Sequence, residues 1–297
     1  MIEALSVTVC ICTFRRRSLA RTLSSMLRQV LPAGMRFELI VVDNDLIPTA
    51  NSLIANFPSS GIVPLKYIHA PAHNISIARN AGLVACHTRW LAFIDDDEIA
   101  TSNWLARLIA NRDGAEAVFG PCEALYDDQT PQWIRLGDYH STRVAPRNGI
   151  IETGYTGNVL IDMDFVRAHK LWFDERFGQT GGEDTMFFHA MHQIGGRLAY
   201  AVDAIVYEEV EPRRETLRWI AARRFRAGRT YAQLQQLSDV QQFRLTLLLS
   251  PLKILYCVSV AAFCAPRPTR AMWWLMRGVF HFGMLSYRLR NKANDKM

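Results

Sequence analysis

The chain has 297 residues, of which 49% are hydrophobic and 21% are charged. These proportions are typical of a globular protein and exclude a disordered or low-complexity chain. The formal net charge of +6 is modest for this length, and it favours negatively charged partners such as nucleotide diphosphates, nucleic acid or anionic lipid. Six cysteines are present without any C-x-x-C spacing, so nothing indicates a structural zinc site.

The first 110 residues alternate strand patterns with helix patterns. Short β-branched or apolar runs predict strands, and apolar residues at helical spacing predict helices between them. Such an alternation indicates an α/β domain with a mostly parallel central sheet. The predicted strands are 7–12, 38–42, Leu65–His69 and Trp90–Ile94, and the predicted helices are 19–30, Ile75–Ala85 and 105–110.

Polar residues follow three of the predicted strands, directly where each strand ends. Thr13 and Arg15 follow the first strand, and Asp43 ends the second. An acidic triplet, Asp95–Asp97, follows the fourth. In open α/β sheets, ligands bind outside the carboxyl ends of the strands. These three clusters therefore predict one shared crevice.

The acidic triplet itself predicts a metal site. Three consecutive carboxylates repel each other, and a hard divalent cation that also binds phosphate oxygens relieves this repulsion. Such a cation acts as a Lewis acid and neutralises a departing nucleotide diphosphate. A solvated acidic loop is the alternative interpretation, and the position of the triplet after a buried strand favours the metal site.

A second acidic pair, Glu183 and Asp184, follows two glycines and begins a predicted helix at 182–194. A carboxylate at this position can act as the general base that deprotonates an acceptor hydroxyl. It can equally be a helix N-terminal cap, a position that favours Asp for structural reasons alone. Taken by itself, the pair favours the cap.

Two arginine-bearing segments also have a functional and a structural interpretation. Arg79, within the sequence HNISIARNAG, either meets a phosphate or carboxylate or lies on an exposed helix face. Arg224 belongs to a basic stretch between residues 213 and 229. This stretch is either a solvated or membrane-facing surface or the source of one or two pyrophosphate contacts.

The middle of the chain, residues 120–150, is rich in Pro, Asp, Arg and Gly and has few periodic runs. This composition predicts a long loop region or a small insertion. Regular structure is predicted to resume after it, at 157–161.

Two apolar runs occupy the C-terminal part of the chain. Residues 245–265 are long enough to span a membrane, although Pro251 and Lys253 interrupt them, and residues 272–287 are rich in aromatic side chains. A single span would place the arginines that follow it outside the cell, against the positive-inside rule. The pattern therefore favours a hairpin or interfacial helices. A pair of core or oligomer-interface helices is the alternative.

In chain order, these segments resemble glycosyltransferase family 2, a group of inverting enzymes with the GT-A fold. The matching segments, over roughly residues 5–230, are VTVCICTFRR, FELIVVDND, NISIARNAGL, WLAFIDDDE, TGNVLI and FDERFGQTGGEDTMFFHAMHQIG. Each segment is a weak signal alone, but together and in this order they make a chance match improbable. The arrangement that follows resembles bacterial exopolysaccharide transferases of the succinoglycan type.

The resemblance implies a Rossmann-like, mostly parallel sheet flanked by helices and followed here by a hydrophobic helical tail. It assigns a divalent metal, Mn²⁺ or Mg²⁺, to Asp95 and Asp97. It makes Asp184 the catalytic base with Glu183 beside it, which reverses the preference for a cap. Asp43 is implied to contact the nucleotide base. The predicted donor-binding residues are Thr13, Arg15, Asp43, Arg79, Asp96 and Arg224.

The sequence departs from the family pattern in two places. Family members often carry a His shortly after the last sheet strand as a further metal ligand, whereas Glu208 and Glu209 stand in that neighbourhood here. The Gln-x-x-Arg-Trp motif of processive members is also missing, because the nearest segment, Thr216 to Trp219, lacks the Gln. We therefore expect addition of a single sugar rather than polymerisation.

These arguments predict a catalytic domain over residues 1–235 and a membrane-associating helical tail over 236–297. The expected enzyme moves a sugar from a nucleotide-sugar, by resemblance a UDP-sugar, to a glycan or polyprenyl-linked glycan in exopolysaccharide or cell-surface polysaccharide synthesis. No nucleic-acid partner is expected.

The N-terminal apolar run is too short for a signal peptide, so the expected location is the cytoplasmic face of the bacterial inner membrane. Attachment there would be peripheral, monotopic or through a hairpin. A catalytically inactive protein that binds a nucleotide-sugar or glycan is the alternative function. A nucleotidyltransferase is disfavoured, because TFRRRS is not a Gly-rich phosphate loop.

Overall fold

The computed structural model describes residues 5–58 and 63–294, with side chains described as far as residue 287. The described residues form two compact units. The first lies within Met1–Ala124 and Ser141–Glu209, and the second within Leu125–His140 and Val210–Met297. The predicted boundary between residues 235 and 236 stays a prediction.

The strands form one seven-stranded sheet and one three-stranded sheet. In chain order they are β1 (Leu5–Thr13), β2 (Met35–Asp43), β3 (Leu65–His69), β4 (Trp90–Ile94), β5 (Glu98–Ala100), β6 (Ala117–Phe119), β7 (Cys122–Leu125), β8 (Asn158–Asp162), β9 (Leu198–Tyr200) and β10 (Val206–Glu209). The large sheet has the order β3-β2-β1-β4-β8-β6-β9, and the small sheet has the order β5-β10-β7.

The mostly parallel sheet predicted from the sequence is confirmed. Strands β3, β2, β1 and β4 are mutually parallel, as expected from the helices that connect them. Strand β8 runs antiparallel to both β4 and β6. Strands β5, β6 and β9 have only three residues each, too few to show a periodic pattern in the sequence.

Ten α-helices are present in the described residues. They are α1 (Leu19–Met26), α2 (Asn51–Ala55), α3 (Ile75–Ala85), α4 (Trp104–Ala110), α5 (Gln132–Gly137), α6 (Met163–Ala168), α7 (Glu183–Gln193), α8 (Leu217–Ser238), α9 (Val240–Phe263) and α10 (Pro268–Asn294). Residues 120–150, predicted to be a long loop region or a small insertion, contain strand β7 and helix α5, so the long-loop alternative is wrong in part.

The core of the first unit lies on both faces of the large sheet, because side chains of a strand alternate between faces. Val9 and Ile11 of β1 belong to one buried cluster, and Cys10 belongs to the other. Helix α3 packs closely on the second face at Gly82. A Cβ atom added there would lie 2.6 Å from the Cys10 Sγ atom. This close approach holds α3 against the sheet, next to the predicted crevice.

Asn158, at the start of β8, joins separate parts of the first unit. Its side chain is fully buried and accepts a hydrogen bond of 2.8 Å from the indole N–H of Trp104 on α4. Its amide donates to the carbonyl oxygens of Pro121 at 2.9 Å and Ala204 at 2.7 Å. Because β8 pairs with β4, this network anchors the strand that precedes the acidic triplet.

The second unit contains α5 and the long helices α8, α9 and α10. Helices α8 and α10 cross closely at two glycines. A Cβ atom at Gly228 would lie 2.0 Å from the carbonyl oxygen of Phe280, and one at Gly283 would lie 2.1 Å from that of Phe225. Helix α9 includes Pro251 and is long and apolar enough to cross a membrane, with 28% of its apolar window buried. By itself, one such helix is weak evidence for a membrane span.

We predict that Asn158→Ala lowers the free energy of unfolding by about 3 kcal/mol, because three buried polar partners lose their hydrogen bonds. Urea denaturation of the purified protein measures this. Asn56→Ala is the matched control, since the Asn56 side chain is exposed and its amide donates to the Ser52 carbonyl one turn earlier. The control should change stability by less than about 0.5 kcal/mol. Equal effects of the two variants would contradict the anchoring role.

Candidate active site

The register of the parallel strands brings the polar strand ends into one row. Thr13 at the end of β1 pairs with Asp43 at the end of β2, and Asp43 pairs with His69 at the end of β3. On the other side, Cys10 of β1 pairs with Phe93 of β4. Three residues after Cys10 and three residues after Phe93, the chain reaches Thr13 and Asp96, which are therefore neighbours.

Asp96 is the member of the triplet that accepts hydrogen bonds from Thr13 and Phe14. Its carboxylate accepts a hydrogen bond of 2.6 Å from the Thr13 hydroxyl and one of 3.4 Å from the Phe14 N–H. Burial raises the pKa of Asp96 to about 7, although the Thr13 hydrogen bond favours the ionised form. Asp96 and Thr13 thus join the end of β1 to the residues after β4.

Asp95 is the most accessible of the three carboxylates, with 48% of its side-chain surface exposed. The surrounding protein reduces its hydration and raises its pKa to about 6, while Arg79 lowers the pKa and Asp97 raises it. The Asp97 carboxylate lies 3.4 Å from a guanidinium nitrogen of Arg16. Asp95 and Asp97 therefore both lie at the crevice, each near the guanidinium of an arginine.

Glu98 lies beneath Asp95 and is almost fully buried. Its carboxylate accepts a hydrogen bond of 3.0 Å from the Asp95 N–H, and burial raises its pKa well above the usual range. Gly157 passes close by, since an added Cβ atom would lie 2.8 Å from Glu98 Oε1 and 3.1 Å from Asp95 Oδ2. The absence of a side chain at Gly157 keeps the space around these carboxylates open.

Arg79 of α3 connects the acidic triplet with the second acidic pair. It is buried, so the alternative of an exposed helix face is excluded. Its guanidinium forms a short ion pair with Glu183 and lies 4.0 Å from Asp95. Only 8% of the Arg79 side chain and 7% of the Glu183 side chain are exposed. One cation therefore contacts both halves of the predicted site.

Glu183 and Asp184 form the first turn of α7. Gly181 and Gly182 precede them with φ angles of 83° and 99°, in the left-handed region that favours glycine. Gly182 occupies the N-cap position, so neither carboxylate caps the helix. Burial and repulsion by Glu183 raise the pKa of Asp184 to about 6, while Arg79 lowers it. Glu183 Oε2 is buried and has no hydrogen-bond partner among the described atoms.

The start of α3 holds the segment that leads to this turn. The Asn80 side chain donates to the Phe173 carbonyl and accepts from the Phe173 N–H, both at 2.9 Å. The Ser76 hydroxyl donates to the Asp174 carbonyl at 2.9 Å, and the Asn74 amide donates to the Glu175 carbonyl at 2.9 Å. Helix α3 therefore positions both Arg79 and the chain that carries the second acidic pair.

Asp43 is fully buried and already has several donors. It accepts hydrogen bonds from the N–H groups of Asp45 at 3.1 Å and Ala50 at 2.8 Å, and from the Tyr67 hydroxyl at 2.9 Å. Arg15 has a positive φ of 55° and makes two hydrogen bonds to Asp45, at 2.5 Å and 3.0 Å. These contacts shape the loops at the ends of β1 and β2.

Of the other residues singled out from the sequence, one lies beside the acidic cluster and two lie elsewhere. Arg224 lies on α8 in the second unit, where it lines a cavity with Tyr139. Glu208 lies opposite Glu98 in the β5–β10 ladder, next to the acidic cluster. Glu209 points elsewhere and pairs with Arg21 at 2.5 Å. Of the two glutamates in the neighbourhood where family members often carry a His, Glu208 is thus the one beside the acidic cluster.

The donor set of the crevice fits a hard divalent cation that is also bound by a ligand. Among the described residues, no group of three or more His, Cys, Asp or Glu side chains is arranged to hold a metal alone. Carboxylate oxygens are nevertheless the ligands that Mg²⁺ and Mn²⁺ prefer. Mg²⁺ is commonly held by one or two carboxylates together with phosphate oxygens and water. Asp95 and Asp97 suit such a shared site.

The acidic residues of the site could be located from the sequence, but the ion pairs and hydrogen bonds that join them to the rest of the fold could not. The Arg79–Glu183 pair joins residues 104 positions apart. The Asn80 hydrogen bonds to Phe173 span 93 positions, and no local pattern indicates them. The Arg15–Asp45 pair was easier to predict from the sequence, because both residues belong to polar clusters that follow neighbouring strands.

The family model of glycosyl transferase family 2 matches residues 8–170. Succinoglycan biosynthesis protein ExoM of Rhizobium meliloti (strain 1021) is 38% identical over 288 residues, which cover 96% of this chain and 93% of the relative. With the sheet and the crevice described above, these matches define a glycosyltransferase. The chain belongs to glycosyl transferase family 2, and the predicted resemblance is confirmed.

Solved structures with a similar fold include other glycosyltransferases. The mannosyltransferase PcManGT from Pyrobaculum calidifontis, in complex with GDP-Man and Mn²⁺, has a TM-score of 0.65 at 15% identity and covers 96% of this chain and 87% of that one. S. aureus TarS in complex with UDP has a TM-score of 0.55 at 18% identity, with 96% and 92% covered. These neighbours confirm the GT-A fold.

We predict that Arg79→Met lowers the free energy of unfolding by about 3–5 kcal/mol, because it leaves Glu183 buried without its cation. Adding Glu183→Leu to this variant should recover most of the loss, since the unpaired charge is then removed. Urea denaturation of both single variants and the double variant measures the coupling between the two residues.

Arg89→Met is the matched control for this cycle. Arg89 pairs with Asp162, but 62% of its side chain is exposed, so its loss should cost less than about 1 kcal/mol. Equal destabilisation by Arg79→Met and Arg89→Met would show that burial of the Arg79–Glu183 pair contributes nothing special.

Proposed function

We propose that this chain is an inverting, non-processive and metal-dependent glycosyltransferase. It moves one sugar from a nucleotide-diphosphate donor, a UDP-sugar, to a lipid-linked glycan in exopolysaccharide synthesis. The observation that carries the proposal is the position of Arg79, whose guanidinium pairs with Glu183 and lies 4.0 Å from Asp95. The predicted site of the leaving diphosphate, at Asp95, and the predicted base, Asp184 next to Glu183, thereby share one crevice.

In the proposed mechanism, Asp184 accepts the proton of the acceptor hydroxyl. The acceptor oxygen then bonds to the anomeric carbon on the face opposite the diphosphate, and the bond from that carbon to the diphosphate breaks. A base works best when its pKa lies near the operating pH. The raised pKa of Asp184, about 6, leaves it mostly ionised at neutral pH and able to bind a proton.

Donor binding is assigned to residues of the crevice in the first unit. Asp95 and Asp97 would hold Mn²⁺ or Mg²⁺ with the diphosphate oxygens, and such a cation supplies positive charge that stabilises the departing diphosphate. Thr13 and Asp96 fix the shape of this site through their 2.6 Å hydrogen bond. Arg79 adds a buried positive charge on the side of Asp95.

Base recognition is assigned to the loops at the ends of β1 and β2. Arg15 and Asp43 lie there. Asp43, expected from the sequence to contact the base, is fully buried and already accepts hydrogen bonds from the Asp45 and Ala50 N–H groups, so its proposed part is to hold the loop that borders the base. The two fold neighbours bind different nucleotides, UDP in TarS and GDP-Man in PcManGT, so the fold itself does not select the base. The choice of UDP rests on the family resemblance.

The acceptor and location are proposed from the relative and the C-terminal helices. The name of the relative from Rhizobium meliloti places that protein in succinoglycan biosynthesis, which supports a related polysaccharide role here. Helix α9 is apolar enough to enter a membrane. We assign residues 236–297 to membrane association at the cytoplasmic face of the bacterial inner membrane.

We predict that Asp184→Asn lowers sugar transfer by at least about a hundredfold while UDP affinity and folding stay intact. Asp203→Asn is the matched control, because Asp203 is 45% exposed and pairs with Arg107. Transfer from radiolabelled UDP-sugars to an extract of membrane lipids measures the effect. Near-normal turnover of Asp184→Asn would refute the base. Binding of UDP without any transfer by the wild type would favour an inactive binder.

The same base predicts a pH profile. Only ionised Asp184 can accept a proton, so kcat should fall as the pH drops below about 6, the raised pKa of this group. Initial rates between mildly acidic and neutral pH measure this limb. A limb set by an ordinary Asp would lie near pH 4 instead, as expected from the unperturbed value of about 3.9.

We predict that chelation of divalent cations weakens UDP binding, and that Asp95→Asn or Asp97→Asn removes the part of the affinity that depends on Mn²⁺. Calorimetric titration of UDP, with Mn²⁺ and with a chelator, measures both effects. Asp113→Asn is the control, since Asp113 is exposed and lies outside the crevice. Equal UDP affinity with and without Mn²⁺ in the wild type would contradict the metal assignment.

A further inference from the structure

The second unit contains a cavity of about 230 Å³ that the reaction at the acidic crevice does not use. Its wall is partly apolar and partly cationic. A volume of this size has room for a phosphate group and a few adjoining methylenes, since a water molecule occupies about 30 Å³ in the liquid. The lining residues are Tyr139, Arg224, Trp273, Met276, Arg277, Phe280 and His281.

Two buried polar atoms of this wall have no partner among the described residues. The Tyr139 hydroxyl is buried and makes no hydrogen bond, and only 3% of Tyr139 is exposed. His281 Nδ1 is likewise buried and unpaired. A buried hydroxyl without a partner costs about 1–3 kcal/mol, so such groups need an explanation. A polar ligand in the cavity supplies one.

The cavity also has two guanidinium groups that carboxylates do not neutralise. Neither Arg224 nor Arg277 forms an ion pair with any side chain that the structure describes. Arg277 instead lies over the rings of Trp273 and Trp274, at 5.3 Å and 5.7 Å from their centroids. This contact holds the arginine at the cavity and leaves its N–H donors available.

The remaining wall is apolar, formed by the side chains of Trp273, Met276 and Phe280. Arginine forks, a phenolic hydroxyl and an imidazole suit phosphate oxygens, whereas the aromatic and thioether groups suit a hydrocarbon chain. From this combination we propose that the cavity binds the phosphate group of a lipid, with the first methylenes of the lipid chain against the apolar wall.

The surface of the second unit supports a lipid rather than a soluble anion. Leu248, Leu252 and Leu255 of α9 are 71%, 64% and 65% exposed, and their spacing places them along one side of the helix. Helix α9 packs on α10, the helix that carries most of the cavity wall, and the Tyr256 and Trp274 rings meet edge to face at 5.5 Å. An exposed apolar face on the helix that packs against α10 fits an amphiphile better than a soluble anion.

This inference deepens the proposed function, on which it rests only for the identity of the lipid. If the acceptor glycan is lipid-linked, the cavity binds the phosphate of its carrier. The head-group site itself requires neither a donor nor sugar transfer. It also gives Arg224 a role different from the pyrophosphate contact predicted from the sequence.

The test uses the full chain and vesicles of phosphatidylcholine, with and without polyprenyl monophosphate. Arg224→Gln with Arg277→Gln should weaken binding to the polyprenyl phosphate vesicles roughly tenfold or more, and leave binding to plain vesicles unchanged. The matched control is Arg226→Gln with Arg270→Gln, which removes the same charge from exposed positions of α8 and α10 outside the cavity. Equal losses in both double variants would show general attraction to anionic vesicles and overturn the site.

Tyr139→Phe gives an independent measurement that removes no charge. It should raise the melting temperature of the lipid-free protein, because an unpaired buried hydroxyl is removed, and it should weaken binding to polyprenyl phosphate vesicles. A general loss of folding cannot produce this opposite pair of effects. Unchanged binding by this variant would overturn the role of the hydroxyl.

Two further measurements separate the lipid from other anions. Excess inorganic phosphate should fail to displace the protein from polyprenyl phosphate vesicles, and efficient displacement would overturn the lipid in favour of a small-anion site.

Calorimetric titration of UDP should give the same affinity for Arg224→Gln as for the wild type. A loss of UDP affinity there would return Arg224 to the donor site and overturn the proposal. Because vesicle binding and sugar transfer are measured separately, failure of one does not imply failure of the other.

Discussion

Arg79 and Glu183 place opposite charges where water is almost absent, and the position of the acidic residues depends on this contact. Removing two charges from water is costly, so the pair is stable only if the surrounding protein holds both groups in place. Helix α3 does so through Gly82, which lets it approach β1, and through Asn80, which binds the Phe173 backbone. The pair is therefore supported by the packing of the whole first unit.

The carboxylates around Arg79 carry more negative charge than its single guanidinium neutralises. One guanidinium faces Glu183 directly and Asp95 at 4.0 Å, while Asp184, Asp97 and Glu208 add further negative charge nearby. Burial raises the pKa of both Asp95 and Asp184, and repulsion by the neighbouring carboxylates adds to the rise. A crevice of this kind binds cations readily and binds a diphosphate only together with them. Metal and donor binding are expected to be coupled for this electrostatic reason.

Much of the first unit could be predicted because its information is local. The parallel strands are short apolar runs, and the register that aligns Thr13 with Asp43 follows from strands that end in polar residues. The Arg79–Glu183 pair could not be predicted, since it depends on how α3 and α7 pack. Helix α5 was missed because only its buried Ile134 marks an apolar face. The orphan hydroxyl of Tyr139 likewise has no signature in the sequence.

The described residues of the second unit lie within two stretches of chain, Leu125–His140 and Val210–Met297. Ile134 and Tyr139 of the first stretch pack with Ile220 and Met276, which lie on α8 and α10. During synthesis, the apolar face of α5 therefore stays uncovered until helix α10 has been made. A chain that stops early would expose this face even if its sheet had already formed. Helices α8 and α10 are thus needed to cover the apolar face of α5, whatever their role at a membrane.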